Sequence, residues 1–102
     1  MAGVWTHGTW TVKPGHEEEF VAAWKGMVDR VTADPELPGS SSPTLLRDRE
    51  RPTVFVSFGS WPDLDAVERF HASRTFREGV GAMEELLERF EPLTLDEVYP
   101  RG

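Results

Sequence analysis

Apolar and polar positions alternate from Val4 to Val12 (VWTHGTWTV), and the run is rich in Val, Thr and Trp, which predicts a first strand. Alternation puts Val4, Thr6, Gly8, Trp10 and Val12 on one face and Trp5, His7, Thr9 and Thr11 on the other. Pro14 and Gly15 end the strand. The period then lengthens. Phe20, Trp24, Met27, Val28 and Val31 recur at helical spacing, which predicts a helix from about His16 to Thr32. Glu17, Glu18 and Glu19 fall in its first turn, where carboxylates complement the helix dipole. Asp34 to Pro43 (DPELPGSSSP) reads as a loop, a surface connection first and a lid second. Thr44–Asp48 and Thr53–Trp61 read as two strands around a turn at Arg49–Pro52. A helical segment follows from Pro62 to about Ala72. A second runs from about Thr75 to Phe90, on the spacing of Phe76, Val80, Met83, Leu87 and Phe90. Pro92 closes it, and Leu93–Tyr99 is the last strand.

The order β-α-β-β-α-β defines an α+β, ferredoxin-like fold: a four-stranded antiparallel sheet with helices on one face. The other face has no cover. Trp10, Val12, Val54, Val56 and Phe58 are expected there, an apolar patch of a kind rarely left in water. A second copy of the sheet is the simplest cover, so a homodimer is expected.

Composition narrows the partners. The chain has 102 residues, read as one domain over 1–102. Its net charge of −7 repels phosphate backbones, which argues against a nucleic-acid partner. The alternating charges of Arg47, Asp48, Arg49, Glu50 and Arg51 read as a solvated hairpin tip. There is no cysteine, which removes disulfides, thiolate ligands and thiol nucleophiles and suits a reducing cytoplasm. No signal-peptide pattern opens the chain, and the longest apolar run, Phe20–Trp24, is far too short to span a membrane.

The chemistry must come from elsewhere. His7, His16 and His71 lie on different elements without ligand spacing, so no metal site is expected. Ser57 lacks a GxSxG elbow, and Gly79-Val80-Gly81 lies within a helical pattern, so neither a hydrolase nucleophile nor a dinucleotide loop is indicated. What remains is a cavity wall. Phe55, Ser57, Gly59 and Trp61 share one face of their strand, and Trp5, His7, Thr9 and Thr11 share one face of the first. If both faces point at the helices, they form an aromatic wall with a few polar groups, the usual make-up of a small-molecule site. The same residues also suit a plain core with satisfied polar groups, and His71 also suits a helix surface.

The chain resembles the antibiotic biosynthesis monooxygenase domain of the dimeric α/β barrel superfamily. The resemblance is carried by Val12-Lys13-Pro14-Gly15-His16-Glu17-Glu18-Glu19-Phe20, and by Phe55-Val56-Ser57-Phe58-Gly59-Ser60-Trp61 followed by Leu64, Phe70, His71 and Ser73. It implies two chains pairing as an α/β barrel, with a cavity between sheet and helices in each subunit. Members that degrade haem use Asn, Trp and His; His7, Phe70 and Val80 stand there in this chain, which disfavours that activity. Members that form quinones use an Asn four residues before the strand-end Trp. Trp61 matches, but Ser57 replaces the Asn.

The resemblance therefore implies a monooxygenase that needs no cofactor and oxidises a small aromatic or phenolic, polyketide-like substrate with dioxygen. His7, His71 and Trp61 are its expected catalytic residues, and Trp5, Phe55, Ser57 and Phe70 its expected substrate contacts. A histidine would serve as base, near its ordinary pKa of about 6.5. The Trp61 indole N–H would donate to a substrate carbonyl or to reduced oxygen. The alternatives are a non-catalytic binding or accessory dimer, and an isomerase or cyclase that uses no oxygen.

Overall fold

Each of the four expected strands forms, and the helical half carries the departures. A computed structural model of the chain describes residues 3–37 and 41–99. The elements are β1 (Val4–Val12), α1 (Glu17–Ala33), β2 (Ser41–Arg47), β3 (Val54–Trp61), α2 (Leu64–Ala72), α3 (Arg74–Met83), a 3-10 turn at Glu84–Leu86 and β4 (Leu87–Asp96). The strands form one antiparallel sheet in the order β2-β3-β1-β4, with the helices on one face: the ferredoxin-like α+β arrangement.

Gly15, at φ +91°, makes the turn into α1, a conformation that glycine adopts without a Cβ penalty. α1 buries Phe20, Met27 and Val31, the stripe that helical spacing predicts. Two caps set the rest. Asp63 accepts the Ala66 N–H at 2.9 Å and starts α2. Ser73 accepts the Phe76 N–H at 3.1 Å and starts α3, so the gap between the two expected helical segments is a helix break with its own cap. Ser41 already belongs to β2, three residues earlier than the loop reading allowed, with a register shift between Ser41 and Thr44. The central part of the expected loop, residues 38–40, lies outside the described residues.

The helix expected to reach Phe90 stops at Met83, and Leu87–Phe90 are strand. A β-bulge explains the misleading spacing. Leu87 pairs with Val12 and Phe90 with Trp10, with the register shifting between Thr11 and Val12. Leu87 and Phe90 therefore share a face although three residues apart, and so imitate a helical stripe. Phe90 stacks on Trp10 at 3.8 Å between ring centroids. Pro92, expected to end a helix, lies within β4 opposite Gly8; β4 is an edge strand, where proline is tolerated.

Register also decides the faces. Val4 pairs with Trp61, Thr6 with Gly59, Gly8 with Ser57 and Trp10 with Phe55. These are the residues turned to the helices: Trp10, Val12, Phe20, Met27, Val31, Phe55 and Met83 form the main core, and Val4, Trp61, Ala66 and Val67 a second cluster joined to it through Phe70. Trp10 and Val12 are thus buried, not exposed as the uncovered-face reading had them. Trp5 and His7 alternate to the other face, where they pair with Ser60 and Phe58 and, across β4, with Leu95 and Leu93. Leu46, Leu93 and Leu95 stand exposed, so that face remains apolar with a different membership. No helix among the described residues is long and apolar enough to cross a membrane.

Candidate active site

A cavity of about 80 Å³ lies between the sheet and the helices. Its walls are apolar and mostly aromatic: Trp10, Trp24, Trp61, Phe70, Phe76 and Phe90, with Met27, Val28 and Val31 of α1. The polar side chains at its border include Thr6, Thr32, Ser57, His7 and His71. This composition, a greasy wall with a few polar groups, is that of a small-molecule site.

The indole N–H groups of Trp10 and Trp61 are engaged. Trp61 Nε1–H donates to Thr6 Oγ1 at 3.0 Å, and the Thr6 hydroxyl in turn reaches the Gly59 carbonyl at 3.5 Å. Trp10 Nε1–H donates to Ser57 Oγ at 2.9 Å. Gly8, between these strands, has no room for a side chain. A Cβ there would lie 2.9 Å from Ser57 Oγ and 3.0 Å from both Trp10 Nε1 and Phe90 Cε1.

His71 sits near the end of α2 with its ring 5.4 Å from Phe70 and 5.0 Å from Phe76. Burial lowers its pKa below the ordinary 6.5, so the ring is neutral at pH 7. It has no hydrogen-bond partner among the described residues. A neutral imidazole of this kind holds one accepting nitrogen ready for a proton.

Trp61, His71, Ser57 and Phe70 are brought together at one cavity. The other three expected site residues are placed differently. Phe55 is buried against Phe20 at 5.1 Å, with the Arg47 guanidinium over it at 5.4 Å, and does not line the cavity. Trp5 is on the opposite face, where its Nε1–H donates to Glu97 Oε1 at 3.1 Å. His7 is on that face too. Its ring packs edge-on against Phe58 at 5.0 Å, and its buried Nδ1 has no partner among the described residues. It borders the cavity from the far side of the strand. The cause is the pairing of Gly8, not His7, with Ser57.

Trp10, Phe90 and Thr6 were missed as cavity residues. A signal for them was present in the sequence: Val4, Gly8, Trp10 and Val12 make the more apolar parity of β1, and a core recruits that parity. Among the described residues, no three His, Cys, Asp or Glu side chains cluster as a metal site would need.

The profile of the antibiotic biosynthesis monooxygenase family matches residues 4–82, and the chain belongs to that family. Solved structures repeat the fold. An antibiotic biosynthesis monooxygenase-type protein from Caulobacter crescentus superposes with a TM-score of 0.84 at 20% identity, covering 96% of this chain and 92% of that one. A point variant of SnoaB, a cofactor-independent oxygenase from Streptomyces nogalater, gives 0.82 at 24% identity, covering 96% and 95%. A conserved protein from Methanosarcina mazei gives 0.81 at 19% identity, covering 93% and 92%. At such identities the likeness speaks for the fold alone. Comparison with curated proteins yields no match.

Proposed function

We propose that this chain is a cofactor-independent monooxygenase that oxidises a small phenolic substrate with dioxygen in the cavity between sheet and helices. The observation that carries the reading is His71, neutral and without a hydrogen-bond partner among the described residues, beside an aromatic cavity. His71 takes the phenol or enol proton on its accepting nitrogen. The resulting anion passes one electron to dioxygen, and the carbon radical and superoxide combine to form a C–O bond. Loss of water from the peroxide leaves the quinone, so that one oxygen atom enters the product and the other leaves as water. The aromatic wall holds the flat ring and excludes water, which strengthens the polar contacts at the reacting atoms. Ser57, Trp61 and Phe70 contact the substrate in this reading. Trp5 and Phe55 do not, because their side chains lie outside the cavity wall, and His7 borders the cavity only from the opposite face of β1.

The proposal includes pairing of two copies through the open sheet face, as in a dimeric α/β barrel, with residues 1–102 as one domain. The exposed leucines of that face and the unpartnered His7 Nδ1 support it. The absence of cysteine suits a cytoplasmic setting.

An oxygen electrode tests the activity, with phenols and hydroquinones as substrates and a chelator present. The expected result is oxygen uptake that falls about 10²-fold or more in His71→Ala. If uptake is the same in His71→Ala and Trp61→Phe as in the wild type, the assignment is wrong. One observation favours a second reading, a binding protein without catalysis: the Trp61 N–H is already engaged by Thr6 and is not free for a substrate. Saturable binding of phenols with no oxygen uptake would select that reading.

A further inference from the structure

Ser57 has one hydroxyl proton and two lone pairs on its oxygen. Trp10 Nε1–H takes up one lone pair at 2.9 Å. No acceptor for the hydroxyl proton stands among the described residues. The indole is not free to adjust. Trp10 is buried, stacked on Phe90 at 3.8 Å and packed on Phe20 at 5.4 Å. The core, and not the ligand, therefore sets the direction of the N–H···Oγ bond. An oxygen that accepts a hydrogen bond becomes a better donor and a poorer acceptor, because successive bonds polarise one another. Ser57 and Trp10 both border the cavity.

We infer that Trp10 holds Ser57 as a hydrogen-bond donor into the cavity, so that the ligand is gripped there by an accepting oxygen, a carbonyl or enolate, on a single aromatic ring. This deepens the proposed function and rests on it for the ligand's place in this cavity. A ligand offering only a donor leaves the serine proton unpaired, at the cost of a buried unsatisfied polar group. Trp10 is a positioning residue: it touches the ligand oxygen only through Ser57. The ring count follows from the volume. About 80 Å³ admits about half a dozen water-sized spheres at roughly 10–15 Å³ each, which suits one ring with a short substituent. In the proposed reaction the same donor faces the oxygen on which negative charge develops once the proton has left.

The test compares acetophenone with α-methylstyrene, which has the same shape with CH₂ in place of the oxygen. Titration of the wild-type protein by tryptophan fluorescence is expected to show acetophenone binding about fivefold more tightly, equivalent to about 1 kcal/mol. The bound carbonyl stretch should move to lower frequency. The Trp10 indole proton should move downfield in the NMR spectrum with acetophenone and not with the styrene, a response that a packing role alone does not produce. Ser57→Cys keeps an acceptor for the indole but supplies only a weak donor, so the preference should fall below about twofold. Equal affinities in the wild type, no saturable binding of either compound, a stationary indole proton or an undiminished preference in Ser57→Cys each overturn the inference. All of these are binding readouts, so an absence of oxygen uptake leaves the inference standing, and its failure leaves the oxygenase test standing.

Discussion

His71 gains its chemistry from what it lacks. Phe70 and Phe76 flank the ring, no carboxylate among the described residues pairs with it, and burial penalises its charged form. Its folded pKa therefore lies below 6.5, while the unfolded chain holds the ordinary value. The unfolded state then binds more protons as the solution is acidified. The stability of the fold is undiminished by this group above about pH 6.5, and is lost as pH falls through 6.5 towards the folded pKa. Urea titrations at pH 7.5 and pH 5.5 should show the wild type losing more stability than His71→Leu. His7 and His16 are present in both proteins, so the difference isolates His71. If His71 is the base, the acid limb of turnover should also fall below pH 6.5, not at it.

Ser73 shows the same economy between two elements. Its hydroxyl accepts the Phe76 N–H at 3.1 Å and donates to the Phe70 carbonyl at 2.7 Å, so one side chain ends α2 and begins α3. Ser73→Ala should cost about 1 kcal/mol in urea unfolding, within the usual range for lost caps. The loss should be accompanied by weaker ligand binding, because Phe70, His71 and Phe76 border the cavity on either side of that joint. The sequence separated two helical segments at this joint but did not decide its geometry, since the capping bond depends on which way the next helix leaves. The strands were legible because alternation is a local property. Which parity of β1 meets which parity of β3 was not, because pairing is set by residues about fifty positions apart, such as Trp10 and Ser57. That single undecided parity placed Trp5 and His7 in the cavity and Trp10 outside it. At the far end of the sheet, the bulge let Leu87 and Phe90 continue a helical spacing inside a strand, so local periodicity pointed to the wrong element.

At the scale of the whole molecule, the sheet separates two environments. One side meets the helices and the cavity; the other carries Phe58, Leu93, Leu95 and Leu46 with little cover from this chain. A solvated sheet face is usually polar, so this one calls for a partner surface. Sedimentation at micromolar concentration should show the wild type as a dimer. Leu93→Glu should sediment as a monomer with an unchanged circular dichroism spectrum, because Leu93 is 53% exposed within one chain and a carboxylate there costs little until the faces meet. A wild-type protein found only as monomer would remove the dimer from the proposal. The fold and its uncovered face could be read from the order and alternation of elements. The cavity's polar wiring could not, because it depends on side-chain hydrogen bonds across strands.

β1 serves both sides of the sheet at once: His7 addresses the open face and Gly8, its neighbour, the cavity. The strand is therefore more tolerant of replaced letters than of changed length. One residue inserted between Val4 and Val12 would exchange the two sets at a stroke, sending Trp10 outward and a histidine inward. Variation among descendants of this sequence should accordingly enter by substitution within β1, and by gain or loss of residues at the exposed Arg49–Pro52 tip, where added length changes no side chain's orientation in the sheet.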